Sequence, residues 1–184
     1  QREETADIGR YRLKDGTIRE VESRSVPLEL AGHMVLHSLV IDVTERNRAV
    51  RELEMQKERL EILINATPDI VCFKDARGRW LQANRADLEL FGLTNVDYVG
   101  KTDRELAEHT LPLYREAFLT CEETDEACWL GGRLTHGEEH IPLPEGGHKA
   151  YDVIKVPLHG PGGTRRGLVV FGRDITERKQ VEQA

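Results

Sequence analysis

The chain contains one strand-to-helix segment twice, and this repeat constrains the fold more than any other feature. Residues 42–46 read DVTER and residues 174–178 read DITER. Upstream of both, Val26-Pro27-Leu28 matches Val156-Pro157-Leu158, and a turn of different length follows. A repeat that varies only in a turn is typical of structural strands joined at the surface. Each copy therefore predicts two strands joined by a turn and followed directly by a helix.

The repeated stretch has the composition of a helix start. In the order Asp-x-Thr-Glu, Asp42 or Asp174 can be the N-cap residue, and the following glutamate can complete a capping box. We therefore predict that each strand passes into its helix with almost no linker. The predicted coupling residues are Asp42, Thr44, Asp174 and Thr176, although a cap with no further role would use the same residues.

A long helix is predicted over residues 44–65, and Pro68 ends it. Its 3-4-3-4 spacing places five residues on the a/d seam of a coiled coil: Val50, Leu53, Lys57, Leu60 and Ile64. A lysine at a core position weakens such a seam but can fix its register. The seam predicts a homodimer through this linker helix, and an amphipathic helix that packs on its own domain is the alternative.

Charge and composition exclude several classes of protein. The net charge is -7 at pH 7, so the basic surface that nucleic acids or anionic membranes require is not expected. No apolar run approaches the roughly 20 residues of a membrane-spanning helix, and three cysteines without a close-spaced pair fit a reducing compartment. We expect a cytoplasmic chain without nucleic-acid or direct membrane contact, and the missing initiator Met suggests a piece of a longer protein.

Between the two copies, the sequence pattern predicts one complete α+β domain. The expected elements are, in order, strands at 69–75 and 79–84, short helices at 84–92, from Thr102 and from Pro112 to about 129, and strands at 134–143, 148–158 and 166–175. Asn84 is the predicted cap of the first short helix, and Thr102 to Glu105 form an S/T-x-x-E capping box. This order predicts a five-stranded antiparallel sheet with short helices on one face.

This ordered set resembles a PAS sensor domain. The resemblance is carried by DxxGRxxxxN at 75–84, VGKTDREL at 99–106 and RDITERK at 173–179. The matching residues are Asp75, Gly78, Asn84, Gly100, Lys101, Thr102, Asp103, Asp174 and Thr176. The complete PAS-like domain is expected over 66–176, preceded by a linker helix at 44–65 and followed by the start of an exit helix at 176–184. Residues 1–46 resemble only the closing strands and exit hinge of another, upstream PAS domain.

The resemblance implies a sensory or regulatory module of a multidomain bacterial signalling protein. Such a module would sense a small ligand, or relay a signal, through coiled-coil helices to an output domain in the same chain. The implied outputs are a histidine kinase or a GGDEF or EAL domain of cyclic-di-GMP metabolism. The residues in this chain are not themselves expected to form an enzyme. A ligand-free dimerisation or spacer module with the same fold is the alternative.

The resemblance also implies a cavity between the sheet and the short helices. The residues similar to pocket-lining positions are Val71, Phe73, Phe91, Tyr114, Phe118, Tyr151, Val153 and Val169, although ordinary core packing explains each of them equally well. A small metabolite or no ligand is expected, and a noncovalent flavin stays open. A photoadduct flavin is not expected because the Asn-Cys-Arg-Phe segment is absent, and haem is not expected because residues 112–129 contain no histidine.

One motif could suggest catalysis. His136 to His140 match the H-x-x-E-H pattern of zinc proteases, which needs both histidines on one helix face. Gly137 and the following IPLPEGG predict a strand and a turn instead. The acidic stretch CEETDEAC at 121–128 does not favour a nucleophilic cysteine, which needs an electropositive setting. We therefore expect no metal site and no catalytic residues in this chain.

Overall fold

The computed structural model describes residues 5–182, which contain eight strands, five α-helices and two short 3-10 helices. The chain divides into two compact units, and the boundary lies between Leu60 and Glu61. Each unit is described by itself below.

The first unit is an antiparallel sheet of three strands in the order β1-β2-β3. The strands are β1 (Thr5–Arg12), β2 (Ile18–Leu30) and β3 (His33–Asp42), and helix α1 (Thr44–Asn65) follows. The predicted strands and helix are present, and β1 is an additional strand that the sequence did not predict. It has no apolar alternation, and its position is fixed by backbone pairing with β2.

The three-stranded sheet buries little of its apolar surface. Among the described residues of this unit only Val21 and Val43 are buried. Large apolar side chains on all three strands are exposed, including Ile8, Leu30 and Met34. The sheet therefore has no apolar core of its own.

The second unit is α+β. Its elements are β4 (Ile70–Asp75), β5 (Trp80–Ala83), α2 (Arg85–Leu90), α3 (Asp103–Leu106), α4 (Arg115–Gly131), β6 (Thr135–Pro142), β7 (His148–His159), β8 (Arg165–Asp174) and α5 (Thr176–Glu182). The five strands form one antiparallel sheet in the order β5-β4-β8-β7-β6. This architecture confirms the predicted five-stranded α+β fold.

Two predicted local motifs have the geometry that their sequences require. Thr102 and Glu105 form a reciprocal capping box at the start of α3, as predicted. Between β4 and β5, the carboxylate of Asp75 accepts hydrogen bonds from the backbone of Arg77 and Arg79. Gly78 lies between them at φ 74°, a conformation that favours glycine. This turn accounts for the DxxGR stretch.

The core of the second unit lies between one face of the sheet and helices α2 to α4. Along β4, alternate residues Ile70, Cys72 and Lys74 are buried, as the two-residue period of a strand requires. The rings of Phe91 and Phe118 pack at 4.6 Å in the middle of this core. The sheet therefore presents an ordered set of side chains to the helices.

Helix α1 extends over 22 residues and none of them is buried. Three residues of the predicted seam, Val50, Leu53 and Leu60, are exposed, with 68% of Leu53 accessible. The coiled-coil seam stays a prediction, since exposed apolar residues are what a seam without its partner presents. Within residues 5–182, no helix has the length and apolarity to cross a bilayer.

Candidate functional site

The second copy of the repeat forms a hydrogen-bonded hinge between β7, β8 and α5. Ile175 donates its backbone N–H to the carbonyl of Ala150 at 2.8 Å, and Ala150 donates its own N–H to Thr176 Oγ1 at 3.0 Å. The backbone N–H of Thr176 in turn donates to Asp174 Oδ1 at 3.0 Å. The first residue of the helix is thus bonded to the strand that ended just before it and to the neighbouring strand.

The first copy of the repeat has the same set of bonds. Val43 donates to the carbonyl of Glu20 at 2.9 Å, Glu20 donates to Thr44 Oγ1 at 2.8 Å, and Thr44 donates to Asp42 Oδ1 at 2.9 Å. The strand register agrees as well, because Val21 lies opposite Asp42 and Tyr151 lies opposite Asp174. The repeat in sequence is therefore a repeat in three dimensions. We call residues 42–44 the first hinge and residues 174–176 the second hinge.

The geometry of both hinges corrects the predicted capping box. Each helix begins at the threonine, so the aspartate lies two residues before it and the glutamate directly after it. The aspartate therefore accepts from the threonine N–H in an Asx turn, and the threonine hydroxyl accepts from a strand rather than from the helix. Hydrogen bonds from Thr44 lower the pKa of Asp42, so the folded hinge favours the ionised carboxylate.

Ion pairs add further ties between the second hinge and the sheet. Lys149 on β7 lies 2.9 Å from the carboxylate of Asp174, and Lys179 on α5 lies 2.7 Å from Glu138 on β6. All four side chains are partly exposed, so each pair contributes little to stability. The first pair joins β7 to the end of β8, and the second orients α5 on β6.

A network of buried charges lies between the sheet and the helices. Lys74 Nζ is 2.6 Å from both Asp103 and Asp125, and Lys155 Nζ is 2.7 Å from Asp125 and 3.1 Å from Glu139. Both lysine side chains are almost inaccessible to solvent. The network joins β4, β6 and β7 to α3 and α4, so it connects every layer of the domain.

The ion pairs of this network determine the charge state of Lys74. Burial alone would lower the pKa of Lys74, but the carboxylates of Asp103 and Asp125 raise it well above its ordinary value. Trp80 adds a hydrogen bond of 3.1 Å from its indole N–H to Asp103. Lys74 is therefore a permanent cation inside the domain, held by two anions.

Local structure explains how each charge reaches the interior. Lys74 follows Ile70 and Cys72 on the buried face of β4, and Lys155 follows Tyr151 and Val153 on the buried face of β7. Asp103 is the first residue of α3, directly after the capping threonine. No sequence motif identified this network.

A small cavity borders the network. Its volume is about 30 Å³, and its lining includes Phe91, Phe118, Tyr151 and Val153 of the predicted pocket. This space holds about one water molecule, whereas small-molecule pockets are roughly ten times larger. A metabolite would fit only if core side chains moved.

The other predicted pocket residues lie elsewhere. Tyr114 is buried beside Phe91, with ring centroids 5.7 Å apart, but does not line the cavity. Val71, Phe73 and Val169 alternate with the buried residues of β4 and β8 and face the opposite side of the sheet. Their assignment to the pocket was wrong. Successive residues of a strand face opposite sides of the sheet, and these three residues lie on the face away from the helices.

Asn84 connects the long helix to the domain. Its Oδ1 accepts from the backbone of Val71 at 3.0 Å and of Asp87 at 3.1 Å, which caps α2 as predicted. Its Nδ2 donates to the carbonyls of Ile64 and Asp69, both at 2.8 Å. A single buried side chain therefore holds the last turn of α1, the start of β4 and the start of α2.

The remaining candidate residues do not form a reactive group. Burial raises the pKa of the Cys72 and Cys121 thiols well above the usual range, so neither is a thiolate at neutral pH. His136 and His140 lie on β6, where they contact Asp152 at 2.5 Å and Glu138 at 3.2 Å. No group of three or more potential metal ligands occurs within residues 5–182.

Comparison with known proteins extends these observations. Residues 64–180 match a protein-family model described as PAS fold. The aerobic respiration control sensor protein ArcB of Escherichia coli is 33% identical over 134 residues, which are 71% of this chain and 16% of ArcB. The virulence sensor protein BvgS of Bordetella bronchiseptica is 40% identical over 142 residues, which are 76% of this chain and 11% of BvgS. The chain thus spans only a small part of either relative.

A solved structure gives the same fold. The VqmA-ligand-DNA complex of Vibrio cholerae is 26% identical, with a TM-score of 0.53 over 65% of this chain and 51% of that chain. The similarity covers a share of this chain comparable to the span matched by the family model, and it supports the same architecture.

Proposed function

Because the chain belongs to the PAS fold family, we propose that it is the sensory and relay part of a multidomain signalling protein whose output domain is a histidine kinase. Its relatives ArcB and BvgS are named as sensor proteins and are much longer than this chain. The proposed role is not catalytic. The chain would receive a cue in its complete PAS domain and pass it to a downstream output through α5.

The observation that carries this proposal is the geometry of the hinges. At the second hinge, Thr176 is bonded both to the strand pair β7–β8 and to the start of α5. A change in the sheet therefore moves the helix without an intervening flexible loop. The signal would be a population shift between two hinge arrangements, since a cue acts only through its different affinity for the two states.

Substitution Thr176→Val tests the relay. Valine keeps the shape of threonine but removes the hydroxyl that accepts from Ala150, so α5 loses its bond to β7. We expect the variant of the full-length protein to fold normally and to lose most of its response to the cue. Autophosphorylation with and without the cue measures the response.

Thr176→Ser is the matched control, because serine retains the hydroxyl. It should respond as the unmodified protein does. A Thr176→Val variant with a normal response would contradict the relay and would favour a spacer, the second candidate function. The small cavity favours that candidate, since a filled core suits a module that only sets distance and symmetry.

The first unit is proposed to be the closing sheet of another PAS-type module. Its support is the agreement in register and hydrogen bonds between the two hinges. Its exposed apolar side chains also suit a surface that other elements of such a module would cover. Modules in series would then pass their states along through capped helices.

The linker helix is proposed to form a homodimer. Leu53 and Leu60 occupy d positions and are exposed, so a second copy of α1 would bury both. Replacing both with glutamate is expected to convert the dimer to a monomer, because charges would face each other in the seam. Sedimentation velocity measures the mass. Met55→Glu, at an exposed f position, is the control. Unchanged mass in the double variant would contradict the seam.

A further inference from the structure

Asp87 has a buried carboxyl oxygen without a hydrogen-bond donor in the part of the chain that the structure describes. Asp87 is 2% exposed, and its Oδ2 accepts no hydrogen bond in the structure. The side chain lines the interior cavity together with Ile70 and Phe91. Burial disfavours an ionised carboxylate in this position, and no donor among the described residues reaches its Oδ2, so the protonated form is favoured.

The surroundings of Asp87 carry an excess of negative charge. The titratable groups that line the cavity with it are Cys72 and Lys74 on β4, Asp103 on α3, Cys121 and Asp125 on α4, Glu139 on β6, and Tyr151 and Lys155 on β7. Two ammonium groups there face three carboxylates, and the two thiols and the phenol are neutral at neutral pH. Ionisation of Asp87 would add a fourth carboxylate and increase the net negative charge around the cavity.

Burial is the main reason that the pKa of Asp87 rises to about 7. The positive charge of Lys74 opposes this rise, and the negative charges of Asp103 and Glu139 add to it. With that pKa, the ionised fraction of Asp87 rises from about one tenth at one pH unit below the pKa to about nine tenths at one unit above it. The proton therefore exchanges across the physiological range.

Asp87 is placed where a proton can affect both ends of the domain. Its backbone N–H donates to Asn84, which holds the carbonyl of Ile64 at the end of α1. On the other side, its charge acts on Tyr151 of β7, and Tyr151 lies opposite Asp174 of the second hinge. Neighbouring residues thus connect Asp87 to the end of α1 on one side and to the second hinge on the other.

We propose that Asp87 is an interior proton-binding site and that the cue of this PAS domain is acidity. The inference deepens the relay proposed above and rests on it for the step from the domain to the output. The cavity has room for about one water molecule, so a proton is a ligand that the closed core accepts without rearrangement. Protonation neutralises the unpaired carboxylate, and ionisation destabilises the packing of α2 against the sheet.

The direct test is a carbon-13 NMR titration of the aspartate carboxyl groups from about pH 5 to about pH 9. We expect one resonance with a midpoint near neutral, and we expect Asp87→Asn to remove it. Asp97→Asn, at an exposed position, is the control and should leave that midpoint unchanged. A midpoint of Asp87 below about pH 5 would overturn the proposal.

Stability gives a second readout with a defined sign. A carboxyl pKa raised by folding means that the folded state binds the proton more tightly, so stability falls as pH rises from the ordinary carboxyl range to about 7 and then levels off. The urea midpoint should therefore fall less between about pH 5 and about pH 8 in Asp87→Asn than in the unmodified chain. An identical fall in both would overturn the proposal.

The sensing step is tested in the full-length protein. We expect Asp87→Asn to remove most of the pH dependence of the kinase output. The output of the variant should stay at the level that the unmodified protein shows when Asp87 is protonated. A variant that keeps the full dependence would overturn the sensing role. A failure of the proposed relay can be told apart from a failure of the proton site. If only the relay is wrong, the Thr176→Val variant keeps its response to pH, and the Asp87 resonance still titrates near neutral pH.

Discussion

Replacing Lys74 with methionine is expected to lower the free energy of unfolding by about 3–5 kcal/mol, the usual cost of removing one partner from a buried ion pair. Methionine fits the space of the lysine stem, but it leaves Asp103 and Asp125 without the ammonium group that lies 2.6 Å from each. Asp125 would keep its ion pair with Lys155, but Asp103 would stay buried without a cation. Urea denaturation at neutral pH measures the change.

The matched control is Lys149→Met, the same substitution in an exposed ion pair with Asp174. Its expected cost is at most about 1 kcal/mol. Adding Asp103→Asn to Lys74→Met should recover part of the loss, because it removes the charge that Lys74→Met leaves unpaired. A Lys74→Met variant within about 1 kcal/mol of the unmodified chain would show that the network does not hold the layers together.

Replacing Asn84 with alanine should lower the free energy of unfolding by roughly 3–5 kcal/mol, because four hydrogen bonds are lost and the buried groups that made them stay unpaired. The loss should also be local. The bond to the carbonyl of Ile64 fixes the last turn of α1, so amide hydrogen exchange at the end of that helix should become faster. Denaturation and exchange mass spectrometry measure the two effects.

Asn95→Ala provides the control, since Asn95 is exposed. It should change stability by no more than about 0.5 kcal/mol. If Asn84→Ala lowered stability but left exchange at the end of α1 unchanged, Asn84 would be a structural cap without a connection to the linker helix.

The sequence predicted the elements of the second unit well because their signals are local. The Thr102 capping box, the Asn84 cap and the glycine after Asp75 each specify a turn or a helix start within a few residues. The strands of the second unit followed from apolar runs between such signals. Strand β1 carries no signal of this kind, and its pairing partner alone defines it.

The faces of the buried strands could not be predicted in the same way. Strand β4 has apolar residues on both sides, with Ile70 and Cys72 inward and Val71 and Phe73 outward. A continuous apolar run does not indicate which of its two alternating sets of side chains faces the core. Lys74 shares the parity of Cys72 and was the available clue, because a lysine among buried residues needs a partner of opposite charge.

The charge network and the Asn84 hub depend on contacts between distant segments. Lys74 meets Asp125 across 51 positions of the chain, and Asn84 meets Ile64 across 20. No spacing rule joins such residues, since the sheet and α4 must fold before they meet. The hinge cap was mispredicted for the same reason: the hydroxyl of Thr176 bonds to Ala150, 26 positions earlier.

The agreement between the two hinges has a consequence for engineering. Thr44 and Thr176 start their helices from the same backbone geometry, so a chimera that crosses from one copy to the other at these threonines should keep the rotational phase of the downstream helix. Each residue inserted after the threonine turns that helix by about 100°, and seven residues restore nearly the original phase. A series of such insertions could therefore tune a hybrid sensor between opposite outputs without any change in its sensing domain.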